Sequence, residues 1–327
     1  MPLPASQPQP TLAGSPRFAT SLVSPQGRKL HLASPLLNAS GTFNPDTFAR
    51  LFPLGSVLGG IVTKTLTPHA QPGNAQQRTV ELPGVGMLNS IGLQGKGLAY
   101  WLANDLATLQ AHGLPIILSL SAHSEADFVE ALTLVAQHPL AHSITAVELN
   151  LSCPNVKAGG SLFGSSAAWV GPVVAQSRQA IDKPLWVKLT PNVTDVRPIA
   201  EAALAAGADG LVAINTVMGA HVDIHRGRLS LSKGSGGYSG PGIFPIALHH
   251  VVTLRQAFPT VPILGVGGIT TWQNVVAMLM AGANAVQIGT SCFANPNVFV
   301  AMAHELDAFA QEQGIANLSD WVGVALP

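Results

Sequence analysis

The sequence predicts an α/β fold, a (β/α)8 TIM barrel, on three observations. Eight short apolar runs recur at regular spacing, and each is followed by a helical pattern. Each run ends in small or polar residues. The composition is 47% hydrophobic and only 10% charged, which suits parallel strands buried on both faces. At 327 residues, the chain has room for a barrel of about 250 residues plus insertions. A doubly wound open sheet is the competing architecture. It rarely repeats so regularly, and no Gly-x-Gly-x-x-Gly follows the first run.

In chain order, residues 1–16 hold five prolines and no basic side chain, and read as a disordered lead-in rather than a signal peptide. Residues 17–327 read as one domain. Ala19–Val23 and Lys29–Ala33 flank a turn at Gly27, a β-hairpin ahead of the barrel. The eight strands are expected at Pro35–Ala39, Gly60–Thr63, Pro115–Leu120, Ile144–Leu149, Pro184–Leu189, Gly210–Ile214, Val261–Val266 and Ala285–Ile288. Helices are expected at Pro45–Phe52, Gly97–Ala111, Glu125–Gln137, Ala167–Ala180, Val196–Ala206, Phe244–Phe258, Trp272–Ala281 and Pro296–Gln313. Long loops follow strands two, four and six. Those at 64–96 and 215–242 exceed the usual connection, and the latter carries a second hairpin candidate. They follow strand C-terminal ends, where barrels build their sites.

The 16 basic and 16 acidic side chains cancel, which argues against a nucleic-acid partner. No uncharged apolar run reaches the roughly 18 residues of a membrane span. Two cysteines, Cys153 and Cys292, point to a reducing, cytoplasmic setting without a disulfide framework. No residue pattern calls for a metal.

The chemistry concentrates at strand ends. Asn150, Cys153 and Asn155 leave strand four within six residues. An asparagine pair can hold a planar ring by its carbonyl and N–H edges, and a thiol that ionises can move a proton. Pro154 restricts the direction of the cysteine. Lys64 and Lys188 sit at the ends of strands two and five, and two lysines on one rim favour an anionic ligand. Gly267-Gly268 and Gly289-Thr290 end strands seven and eight, where barrels commonly hold phosphate on backbone amides.

The motifs Asn150-Leu-Ser-Cys-Pro-Asn155 and Met87-Leu-Asn-Ser-Ile-Gly-Leu93 resemble those of the class 1 dihydroorotate dehydrogenases. Matching stretches run from about Leu30 to Asn295, among them Val62-Thr-Lys-Thr65, Trp186-Val-Lys-Leu-Thr-Pro191 and Tyr238-Ser-Gly-Pro241. Within the class, Asn155-Val-Lys-Ala-Gly-Gly160 and Asn215-Thr216 are similar to the NAD-linked (1B) catalytic subunit. The resemblance implies oxidation of (S)-dihydroorotate to orotate in pyrimidine biosynthesis, with one FMN per chain. Gly267, Gly268, Gly289, Thr290 and Gly240 would surround its phosphate. Ala39 and Ser40 would lie along the flavin, Lys64 and Lys188 near the ring, and Thr65 and Asn150 would complete the cofactor set. The substrate ring would meet Asn89, Asn150, Asn155, Asn215, Thr216 and the Gly92-Leu93 backbone, with its carboxylate near Lys64. Cys153 would take the C5 proton as the C6 hydride passes to flavin N5. The resemblance further implies a homodimer and an electron-transfer partner carrying FAD and [2Fe-2S]. The chain itself has neither a cysteine cluster nor a dinucleotide fingerprint. The family usually has Asn where this chain has Gly95. Two other readings are an FMN barrel that reduces a free pyrimidine such as uracil, and a non-redox barrel for a phosphorylated ligand.

Overall fold

The structure is a computed structural model that describes residues 15–151, 157–158 and 161–327. The lead-in up to residue 14, and both Cys153 and Asn155, lie outside the described residues. Eight parallel strands form one sheet: β1 (Leu36–Asn38), β2 (Ile61–Val62), β3 (Ile116–Leu120), β4 (Ile144–Asn150), β5 (Leu185–Lys188), β6 (Gly210–Ala213), β7 (Ile263–Val266) and β8 (Ala285–Ile288). Their spatial order is β1-β8-β7-β6-β5-β4-β3-β2, so the sheet must join β2 back to β1 to close. The helices are α1 (Pro45–Phe48), α2 (Leu98–Asn104), α3 (Leu106–Gln110), α4 (Glu125–Gln137), α5 (Ala167–Ala180), α6 (Arg197–Ala205), α7 (Phe244–Ala257), α8 (Trp272–Met280), α9 (Ser291–Ala294) and α10 (Val298–Glu312). Each predicted strand is present within two residues at either end. The helix expected over 97–111 is instead two, α2 and α3, meeting at Asp105.

Closure depends on one side chain. Between β1 and β2 the backbone contributes only a bridge from Leu37 to Gly60 and the Gly59 N–H to Leu36 C=O bond of 2.9 Å. The fully buried Asn38 side chain supplies the rest. Its Nδ2 donates to the Val62 carbonyl at 2.7 Å, and its Oδ1 accepts from the Val62 N–H at 2.9 Å. An amide side chain has the same donor and acceptor as a peptide group, so it extends the ladder where the strands diverge.

The inner face follows the two-residue strand period. Leu37, Ala39, Val62, Ile117, Ala146, Trp186, Val212, Leu264, Val266 and Ala285 form an apolar cluster inside the barrel. Leu22, Leu30 and Leu32 join that cluster from the hairpin Thr20–Val23/Lys29–Leu32, which plugs the barrel's N-terminal end. The larger cluster lies between the sheet and the helices, with Leu36, Ile116, Leu118, Val147, Leu149 and Leu211 facing out. With the bottom sealed by leucines, the open end is the C-terminal one.

The two long loops do not stand alone. Val217–Ala220, Ser235–Ser239, Gly86–Asn89 and Thr79–Leu82 pair in that order as a four-stranded antiparallel sheet. The expected second hairpin forms at Val222–Asp223/Arg228–Leu229. The sheet was not expected. It joins segments far apart in the chain, and the paired Gly86–Asn89 and Ser235–Ser239 carry no apolar alternation. Among the described residues no helix is long and apolar enough to cross a membrane.

Asn38→Leu fills a similar volume but strands the Val62 N–H and C=O. At roughly 1–3 kcal/mol for each buried group left unsatisfied, unfolding should become easier by about 2–4 kcal/mol. Urea denaturation measures this, and a change below about 1 kcal/mol would show that the seam does not need the amide.

Candidate active site

The barrel mouth and the four-stranded sheet enclose a cavity of about 950 Å³. That is the upper end of the range for small-molecule and cofactor sites. At one end the chain turns after β7 and β8. Gly267 and Gly268 both have positive φ, 129° and 70°. A Cβ on Gly268 would stand 2.5 Å from the Phe244 amide nitrogen, so only glycine lets the start of α7 pack against this turn. Gly240, Gly289 and Thr290 line the same end, and Thr290 Oγ1 donates to Ser239 Oγ at 2.8 Å.

Ala39, Ser40, Thr65, Asn150 and Lys188 line the part next to the barrel interior. A hydrogen-bonded chain descends from them. Ser40 Oγ and Thr65 Oγ1 are 3.0 Å apart, Thr65 Oγ1 and Ser119 Oγ 3.0 Å, and Ser119 Oγ donates to Glu148 Oε1 at 3.3 Å. Asn150 Nδ2 donates to Thr65 Oγ1 at 3.0 Å. Lys188 Nζ lies 3.5 Å from Glu148 Oε1 and donates to Gln287 Oε1 at 3.3 Å. Gln287 Nε2 donates to Glu148 Oε2 at 2.7 Å.

Lys64, Asn89, Gly92, Leu93, Asn215 and Thr216 line the wall made by the two long loops. Asn89 Nδ2 donates to the Gly237 carbonyl at 3.2 Å, across paired strands. A Cβ on Gly237 would fall 2.1 Å from Thr216 Oγ1, so the glycine makes room for that hydroxyl. Asn215 Nδ2 reaches Asn150 Oδ1 at 3.3 Å, and the Thr216 N–H donates to Asn215 Oδ1 at 2.8 Å. Leu93 has φ of 54°, the one described non-glycine residue in the left-handed region, so backbone strain sits on this wall. Lys64 Nζ donates to the Gln94 carbonyl. Loss of water around the Lys64 ammonium, with the like charge of Arg78 adding to it, pulls its pKa below the ordinary lysine value.

Every candidate residue within the described part of the chain therefore meets in one cavity. The two lysines differ, however. Lys188 is buried and balanced by Glu148, whereas Lys64 is exposed to the cavity without an acidic partner among the described residues. An argument for an anionic ligand rests on Lys64 alone. Sequence reasoning missed Glu148 and Gln287. The signal was there: Ala146, Glu148 and Asn150 share one strand face, and a charge inside an apolar strand needs a partner.

The pattern of the family described as dihydroorotate dehydrogenase matches residues 26–309. The chain belongs to that family. A dihydroorotate dehydrogenase B (NAD(+)) catalytic subunit from Geobacillus kaustophilus is 40% identical over 295 residues, 90% of this chain and 92% of that protein. One of the same name from Pelobacter propionicus is 40% identical over 90% of this chain and 95% of its own length. A relative from Aquifex aeolicus, named as dihydroorotate dehydrogenase A (fumarate), is 39% identical over 90% of this chain and 96% of its own.

For this dihydroorotate dehydrogenase family member, Arg78→Gln removes the like charge beside Lys64. The lysine's pKa then rises, and less of it is in the reactive amine form at a given pH. Competitive acylation at mildly alkaline pH, read by mass spectrometry at Lys64, should slow. An unchanged rate would show that Arg78 does not act on this amine.

Proposed function

We propose that the chain oxidises (S)-dihydroorotate to orotate with FMN held in the barrel-mouth cavity. The observation that carries this is the convergence of the glycine turns, the two lysines and the asparagine wall on one cavity. The residues fit FMN. Gly267 and Gly268 line the cavity where their turn packs against the start of α7, so backbone amides and a helix N-terminus border that end. The volume leaves space for a second, small molecule.

When bound, FMN supplies the acceptor for the substrate's C6 hydride. The chain's residues do the rest. Gly240, Gly267, Gly268, Gly289 and Thr290 would hold the phosphate, while Ala39, Ser40, Thr65 and Asn150 would lie along the flavin. Lys188 would place a positive charge near the ring, where negative charge develops on reduction. Asn89, Asn150, Asn155, Asn215 and Thr216 would orient the pyrimidine by its amide edges, and Gly92-Leu93 would close over it. Lys64 would pair with the substrate carboxylate. That pairing favours an acid substrate over a free pyrimidine such as uracil.

Cys153 would remove the C5 proton. It follows Asn150 by three residues, at most about 10 Å of chain from a residue that lines the cavity. The other thiol is unsuited to the task. Cys292 is buried, and burial pushes its pKa up to about 12.

We further propose NAD as the acceptor, through a partner subunit that carries FAD and [2Fe-2S], and a homodimer of this chain. The relatives named as catalytic subunits support a partner. The similar identity to the type A relative leaves fumarate as the competing acceptor.

The test is anaerobic mixing of the purified chain with dihydroorotate while the visible flavin band is followed. Bleaching is expected, at a rate that rises with pH as the thiol ionises from about 8.5. Cys153→Ala should slow it by about 10²–10⁴-fold, the usual worth of a general base. Bound flavin that dihydroorotate does not bleach would overturn the substrate reading. A flat pH profile with full speed in Cys153→Ala would sink the base assignment.

A further inference from the structure

The Glu148 carboxylate has no solvent exposure and takes no part in the chemistry proposed above. Strand register places it one pleat below Lys188, since Glu148 is level with Trp186 while Lys188 is level with Asn150. Lys188 lines the cavity, and Glu148 lies behind it. Three groups hold the carboxylate: the Lys188 ammonium at 3.5 Å, Gln287 Nε2 at 2.7 Å and Ser119 Oγ at 3.3 Å. Gln287 also accepts from Lys188 at 3.3 Å, so Lys188, Glu148 and Gln287 form a closed triangle across β5, β4 and β8.

We infer that Glu148 is a positioning residue for Lys188, keeping its ammonium protonated and fixed at the cavity floor, so that a bound flavin meets a permanent positive charge. A buried amine without a counter-ion sheds its proton rather than remain charged in a dry site. Among the described residues no other anionic group lines the cavity to take over. The remaining titratable side chains lining the cavity among the described residues are Lys64, His123 and Lys233, all of them cationic when charged. Asn150 and Ser119 nearby are neutral.

The first test needs no ligand. Thermal unfolding of the parent chain, Glu148→Gln, Lys188→Met and the double variant is followed from about pH 9 down to about pH 6. In Glu148→Gln the unfolded chain binds a proton at Lys188 that the folded chain resists. Stability is therefore lost as pH falls, and the gap to the parent should widen toward acid. The double variant should unfold at a higher temperature than Glu148→Gln. A gap independent of pH overturns the inference. If Glu148→Gln does not fold at all, rescue by adding Lys188→Met supports the inference, and failure to rescue overturns it.

The second test rests on the cofactor reading. The FMN-loaded proteins are equilibrated anaerobically with a reference dye. At about pH 8.5, Glu148→Gln should show an oxidised-to-reduced flavin ratio about tenfold above the parent, or ~30 mV for a two-electron couple, and match Lys188→Met. Toward acid pH the difference should shrink, to below about threefold near pH 6. A constant offset, or a variant more easily reduced at every pH, overturns the inference. Parent chain that takes up no FMN would sink the cofactor reading, while the unfolding test would still decide the role of Glu148.

Discussion

Everything at the mouth depends on a closed barrel whose inner face excludes water. In such an interior a side chain is either apolar or fully partnered, because an unpaired polar group costs about 1–3 kcal/mol and a lone charge more. The chain meets this constraint in layers, save that the buried Trp186 Nε1 has no hydrogen-bond partner among the described residues. Leucines of the hairpin and the apolar cluster around Trp186 fill the lower barrel. Above them Ser119, Glu148, Lys188 and Gln287 satisfy one another. Only above that layer does the inner face open to the cavity. Because the polar layer is bonded within itself, it can be rigid, and the residues that rest on it inherit fixed positions. Thr65 and Asn150 are held by the same chain of hydrogen bonds that ends on Glu148.

The barrel was legible because its signals are local. Each strand is a short apolar run closed by glycine, asparagine, lysine or serine, and each helix has its own period. The regularity of eight units then left few alternatives. The candidate residues were legible for the same reason: on a barrel, all strand ends face one mouth. The four-stranded sheet over that mouth was not, since it pairs Gly86–Asn89 with Ser235–Ser239. Long-range pairing of glycine-rich segments leaves little trace in composition. Asn38 shows the opposite confusion. It stands at a strand end like the site residues, yet its amide is used up in the seam with Val62. Position alone does not separate a ligand-binding asparagine from a structural one. The count of backbone partners on the neighbouring strand does.

The two lysines show the same limit in electrostatic terms. In sequence, Lys64 and Lys188 carry one signal, a cation where a strand meets a loop. In the fold they are different objects. Breaking a buried pair by removing one partner typically costs about 3–5 kcal/mol, so Lys188 belongs to the barrel as much as to the site. Among the described residues Lys64 has only the Gln94 carbonyl and the repulsion of Arg78. Its charge is unmatched until something anionic enters.

That difference fits the roles proposed for the two lysines. Near Lys188 the charge is balanced from below, so a neutral, flat group can lie there and gain from the ammonium only as it acquires negative charge. Near Lys64 the charge is unbalanced at rest, so a group already anionic gains on arrival. The first is what a redox ring needs from its surroundings, stabilisation that appears with reduction. The second is what holds a carboxylate substrate in place before any electron moves. The strained Gly92-Leu93 segment and the glycine-paired sheet stand on the second side. In the proposed reading the long loops thus lie where the substrate would come and go, and the bonded polar layer lies where the cofactor would stay.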